Sequence, residues 1–124
     1  MTITIITFGY LHNAPPAAHI TLDLRTHFRD PHVSPEMRDL TAHDTQVQKA
    51  VLGTPGIAQL LDATLAATAA YLSGPSAGPL TIATGCAGGR HRAGVVGAEL
   101  HRRLRADHDV TLTHRDLDKP VVNR

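Results

Sequence analysis

Residues 81–104 read TIATGCAGGRHRAGVVGAELHRRL, and the fold turns on this stretch. With the preceding residue it opens on Leu80-Thr81-Ile82-Ala83, a short apolar run of the kind that forms a buried strand. Gly85-Cys86-Ala87-Gly88-Gly89 follows as a turn. Ala93, Val96 or Gly97, Leu100 and Leu104 then recur at three- and four-residue intervals, a spacing that predicts a helix. Strand, glycine-rich turn and helix in that order favour an anion site. Glycines let the backbone turn tightly and approach a ligand, and the first N–H groups of a helix have no partner within it. The partial positive charge at that end favours phosphate, sulfate or carboxylate. Arg90, His91 and Arg92 sit where the helix begins, so mobile cations are expected to reinforce the backbone donors.

The stretch fits neither G-x-x-x-x-G-K-[ST] nor G-x-G-x-x-G, which excludes a P-loop and a dinucleotide fingerprint. At 124 residues the chain suits one domain, 1–124, with a single core. Its only aromatics are two Phe and two Tyr, so the core must be built from small aliphatics. A net charge of +1 projects no global field toward nucleic acid. The single Cys86 rules out an intrachain disulfide and suits a reducing compartment. No run approaches the roughly 20 apolar residues that cross a bilayer, and the start lacks a basic n-region. The expected location is therefore cytoplasmic, with no membrane contact.

Thr2 to Phe8 is β-branched and ends at Gly9, which predicts a strand. Pro15 and Pro16 place a loop next. From His19 to Arg25, Ile20, Leu22 and Leu24 alternate with Thr21, Asp23 and Arg25, as in a half-buried strand. Thr26 to His43 is polar, holds Pro31 and Pro35, and is long for a loop in a small domain; such loops are often functional. Ser34-Pro35-Glu36 is placed to cap a short helical turn within it. Asp44 is an expected N-cap for a short helix ending near Gly53, and Thr54-Pro55 for a second running to Leu72. Asp109 to His114 alternates as a last strand. The order β, β, α, β, α, β predicts an α/β fold with a small, mainly parallel four-stranded sheet between helices. The polar residues gather at the carboxyl ends of the strands, where ligands bind in open α/β sheets.

Several separated motifs occur together and in order: Phe8-Gly9-Tyr10, Asp23-Leu24-Arg25, Asp30-Pro31-His32, Glu36-x-Arg38-x-Leu40-Thr41, Gly85 through Arg92, and His114 through Lys119. From about Ile3 to Lys119 the chain resembles the C-terminal domain of the RapZ family of RNase adapter proteins. The resemblance implies a fold similar to a phosphofructokinase subdomain, a sensor of glucosamine-6-phosphate, contact with small RNA and a homo-oligomer; the expected role is a sensory module, not an enzyme, with no cofactor. Full-length members carry an N-terminal P-loop domain. Met1 directly before a strand favours a stand-alone domain here. The family pattern usually has Thr-Gly-Gly-Lys after the cysteine; here Ala87 replaces the Thr and Arg90 the Lys, removing one hydroxyl donor. The family's lysine-rich tail is reduced to Lys119 and the five residues after it.

The expected ligand site is Ala87, Gly88, Gly89, Arg90, His91 and Arg92, with a guanidinium suited to holding two phosphate oxygens. His32 joins it, as the resemblance implies. Asp23 and Arg25 either bind sugar hydroxyls or pair with each other. Arg102, Arg103, Arg105 and Lys119 are the candidate RNA contacts, although cations near a helix C-terminus are favoured by its dipole in any case. Cys86 to Arg92 also spells C-x5-R, the spacing of cysteine phosphatases. Gly85 and Ala93 replace the usual activating His and Ser or Thr, so a small buried cysteine is the commoner outcome. No catalytic or metal-ligating set is expected: there is no second Cys, and no H-x3-H pair lies on a helix.

Overall fold

A computed structural model describes residues 2–76 and 78–123. Four strands, β1 (Thr2–Gly9), β2 (Ile20–Asp23), β3 (Leu80–Cys86) and β4 (Asp109–His114), form one sheet in the order β2-β3-β1-β4. All three pairings are parallel. The helices are α1 (Thr45–Leu52), α2 (Ile57–Leu72) and α3 (Arg92–Leu104). The expected four-stranded sheet is thus present and wholly parallel.

The strand order decides where the helices go. The β2-to-β3 and β3-to-β4 crossovers run in the same direction across the sheet, so right-handed connections place their helices on one face. Helix α3 lies across β1, β3 and β4, and α1 and α2 pack against α3. The helices therefore form one layer instead of two layers flanking the sheet. Only the β1-to-β2 connection runs the other way, and residues 10–19 carry no helix. The helix-facing side holds Ile3, Ile5 and Ile82, packed with Val96, Leu100 and Leu61 into the core. Thr2, Thr21, Thr111 and Thr113 sit at the alternate positions and are exposed. This one-sided burial is why β2 and β4 alternate so clearly.

Two boundaries and the bonding of one cap differ from the sequence expectation. Strand β3 continues through Gly85 to Cys86, because the missing side chain at Gly85 makes room for the Phe8 and Tyr10 rings; a Cβ there would lie 2.3 Å from Phe8. Helix α2 begins at Ile57 and not at Thr54-Pro55, because the Thr54 hydroxyl donates back to the Ala50 carbonyl at 2.8 Å and closes α1. Asp44 does sit at the α1 N-cap, but its carboxylate accepts from the Thr41 N–H (2.8 Å) and leaves the helix N–H groups alone. Within the long polar segment, Pro31–Val33 forms a 3-10 turn. One further turn closes through the Arg38 N–H to the Ser34 carbonyl. Among the described residues no single helix is long and apolar enough to cross a membrane.

Candidate functional site

Register gathers the site at the carboxyl edge of the sheet. Gly9 lies opposite Cys86, Asp23 opposite Gly85, and His114 opposite Thr7. The β3–α3 loop, residues 87–91, crosses this edge. Two of its glycines have different reasons to be there. Gly89 has φ +79°, and a Cβ on it would come within 2.8 Å of the Gly9 nitrogen, so this position holds two backbones together. Gly88 is the opposite case: a Cβ there meets no atom within 4 Å. Its missing side chain serves no packing need of the protein.

The three cations after the glycines are not mobile. Arg92 is 2% exposed. Its Nη1 donates to the carbonyls of Leu24 (2.8 Å), Arg25 (3.0 Å) and Phe28 (3.3 Å), and its Nη2 lies 3.2 Å from the Asp30 carboxylate. His91 is buried, with Nε2 at 2.9 Å from both the Met37 and Leu40 carbonyls, so that nitrogen carries the proton and donates. Burial pushes its pKa below the ordinary histidine value, against the pull of those two carbonyls. Arg90 donates to the carbonyls of Asp39 (2.7 Å) and Lys119 (2.9 Å), while its own carbonyl accepts from Ala42 N–H. Irregular backbone needs donors for its carbonyls. Arg90, His91 and Arg92 supply them, and in doing so they pin residues 24–42 over the loop.

The backbone of the loop remains available. Among the described residues the N–H groups of Gly88, Gly89, Arg90, His91 and Arg92 donate no hydrogen bond. The next donor, Ala93 N–H, points at the Cys86 sulfur, 3.4 Å away. The His91 side chain, at the N-cap of helix α3, makes no capping bond to these N–H groups. A cavity of about 10 Å³ adjoins it, lined by Asp30, His32, Cys86, Gly88, Arg90, His91, Arg92, Val121 and Val122. His32 thus reaches the same place as the loop, whereas Ala87 faces the other way in the chain's bonding, its carbonyl accepting from Leu11 N–H at 3.0 Å. As for C-x5-R chemistry, the guanidinium that would hold a phosphoryl group is already engaged by three carbonyls and Asp30.

Asp23 and Arg25 pair with each other, through contacts of 2.9 and 2.7 Å, and the guanidinium stacks 3.5 Å over the Tyr10 ring. The strongest charged cluster at this edge was missed from the sequence. Asp116 is completely buried; it accepts from Gly9 N–H (2.7 Å) and from Arg115, and lies 2.6 Å from the Lys119 ammonium. Arg115 also donates to the carbonyls of Ala14 (2.6 Å) and Asn13 (3.2 Å). The available signal was the position of Arg115-Asp116 directly after a strand, at its carboxyl end.

The candidate RNA contacts do not form one surface. Arg102 and Arg103 both bind Glu99, at 2.6 and 2.9 Å, and Arg103 also approaches Asp62. Arg105 is the C-cap of α3, about 20 Å along the helix from Arg92. Lys119 sits at the other end of the molecule's helix layer, paired with Asp116. Among the described residues no group of three or more His, Cys, Asp or Glu is arranged to hold a metal ion.

This geometry can be set beside known proteins. Curated relatives named "Nucleotide-binding protein" are 35% identical in Nocardioides sp. over 127 residues (96% of this chain, 40% of the relative). The one from Thermobifida fusca is 35% identical over 119 residues (93% and 40%), and that from Mycobacterium avium 34% over 127 residues (96% and 42%). The chain thus spans about two fifths of the length of the curated relatives it matches. A family model described as the RapZ C-terminal domain matches residues 1–118. The chain belongs to the RapZ C-terminal domain family.

Proposed function

We propose that this domain binds the phosphate of a small phosphorylated molecule, an amino sugar phosphate such as glucosamine-6-phosphate, and acts as a sensory module and not as an enzyme. The observation that carries this is the run of five backbone N–H groups, Gly88 to Arg92, that donate no hydrogen bond among the described residues, at a helix start whose N-cap side chain makes no capping bond. Successive N–H groups and a helix N-terminus together favour an anion. Arg90 and Arg92 keep their charge while their donors hold the neighbouring loop, so they add a fixed positive field. Asp30 neutralises part of it. The relatives are named for nucleotide binding, and phosphate is the chemistry that a nucleotide and a sugar phosphate share. Contact with small RNA has less support, since Arg102, Arg103 and Lys119 are each paired with a carboxylate.

Calorimetric titration of glucosamine-6-phosphate against glucosamine and a nucleoside monophosphate separates the parts. The phosphosugar should bind and the bare sugar should not. Gly88→Val provides the sharper check, because a Cβ there meets no protein atom within 4 Å. The expected result is a ten- to hundredfold loss of affinity, from one or two blocked charge-assisted bonds, with the unfolding midpoint unchanged. Equal binding by Gly88→Val, or by unphosphorylated glucosamine, overturns the assignment.

A further inference from the structure

The pocket beside the loop is closed by the chain's own tail. Val121 and Val122 are half-buried and line the cavity together with Cys86, Arg90 and Arg92. What remains is about 10 Å³, room for roughly one water molecule and far less than a phosphate needs. The occupant does not match its seat. Two aliphatic side chains cannot pair with the N–H groups of Gly88 to Arg92, and among the described residues the Nε atoms of Arg90 and Arg92 are buried without a hydrogen-bond partner. Polar donors buried against hydrocarbon favour any arrangement that gives them an acceptor.

The tail is also hinged. Lys119 is held three ways: its N–H donates to the Asp116 carbonyl (3.1 Å), its carbonyl accepts from Arg90 (2.9 Å), and its ammonium lies 2.6 Å from the Asp116 carboxylate. Beyond it, among the described residues, no hydrogen bond or ion pair holds Pro120, Val121, Val122 or Asn123. A firm anchor followed by a segment with no hydrogen bond or ion pair among the described residues is a structure that opens locally at low cost.

We propose that Pro120–Asn123 is a strap that closes the anion pocket, and that strap and phosphate compete for it; this rests on the phosphate site proposed above. Ligand binding would then release the tail, giving the domain two distinguishable surfaces.

Cys86 reports on the strap independently of any ligand. It is the chain's single cysteine, lines the cavity and is 3% exposed. A covered thiol reacts through the open population, so its iodoacetamide alkylation rate measures closure. Two variants open the strap: a chain ending at Lys119, and the full chain carrying Val121→Asp with Val122→Asp. Alkylation should be faster by about tenfold or more in both. Inorganic phosphate should slow it, at lower concentration in the opened variants than in the full chain. Unchanged alkylation in both variants overturns the strap and leaves phosphate binding to be judged by calorimetry. Faster alkylation with no protection by phosphate in any form overturns the competition and the phosphate site together.

Discussion

Replacing Arg92 by alanine is expected to lower the folding free energy by about 3–5 kcal/mol, the range found when one partner of a buried charged network is removed. The guanidinium is 2% exposed and holds three carbonyls, those of Leu24, Arg25 and Phe28, besides the Asp30 carboxylate. Alanine leaves all four acceptors without this donor and a void where the side chain was. Urea denaturation at neutral pH measures the loss. Arg92→Lys should recover only part of it, since an ammonium cannot reproduce the planar fork. Asp30→Asn should cost less than half as much, because it removes the ion pair and keeps the three carbonyl bonds. A loss under about 1 kcal/mol for Arg92→Ala would mean that residues 24–30 hold their path without it. Phosphate affinity must be read together with stability here: Arg92→Ala can lose the ligand simply by releasing the loop that frames the pocket.

That double role shows where sequence reasoning stops. Residues with a repeating local cause were legible: β1 from its β-branched run, β4 from its alternation, α3 from the Ala93–Leu104 spacing. The carboxyl-edge position of the site followed from the parallel order alone. The function of each cation did not. A charge beside a glycine turn looks the same whether it faces a ligand or a distant backbone carbonyl. The acceptors for Arg92 and His91 lie more than 50 positions away, at the end of β2 and in the long polar segment after it. Arg102 and Arg103 illustrate the converse. Glu99 stands three and four residues before them, so their pairing could have been read from helical spacing. The single helical layer followed from strand order, which local patterns do not encode.

Acid should act on this protein largely through Asp116. Burial alone would raise its carboxyl, but Arg115, the Gly9 N–H and Lys119 outweigh that and hold it down to about 2. A carboxyl whose folded pKa lies below its unfolded value stabilises the fold above about pH 4, and that stability is lost as pH falls toward 2. From an ordinary aspartate value of 3.8 to about 2, the contribution is about 2 kcal/mol at neutral pH. Asp116→Asn removes the charge and keeps one acceptor for Gly9. Natural chain and variant should therefore differ by about 2 kcal/mol or more at pH 7, a gap shrinking to well under 1 kcal/mol at pH 2. Urea unfolding at successive pH values gives the comparison. Asp23, Glu36 and Glu99 also titrate low, drawn down by hydrogen bonds from Arg25, Ser34 and Arg102. They are present in both proteins, so the difference between the two curves isolates Asp116. A gap that stays constant from pH 7 to pH 2 would show that Asp116 acts through shape and not through charge. In that case the charge of Asp116 would add nothing to its contacts with Arg115 and Lys119.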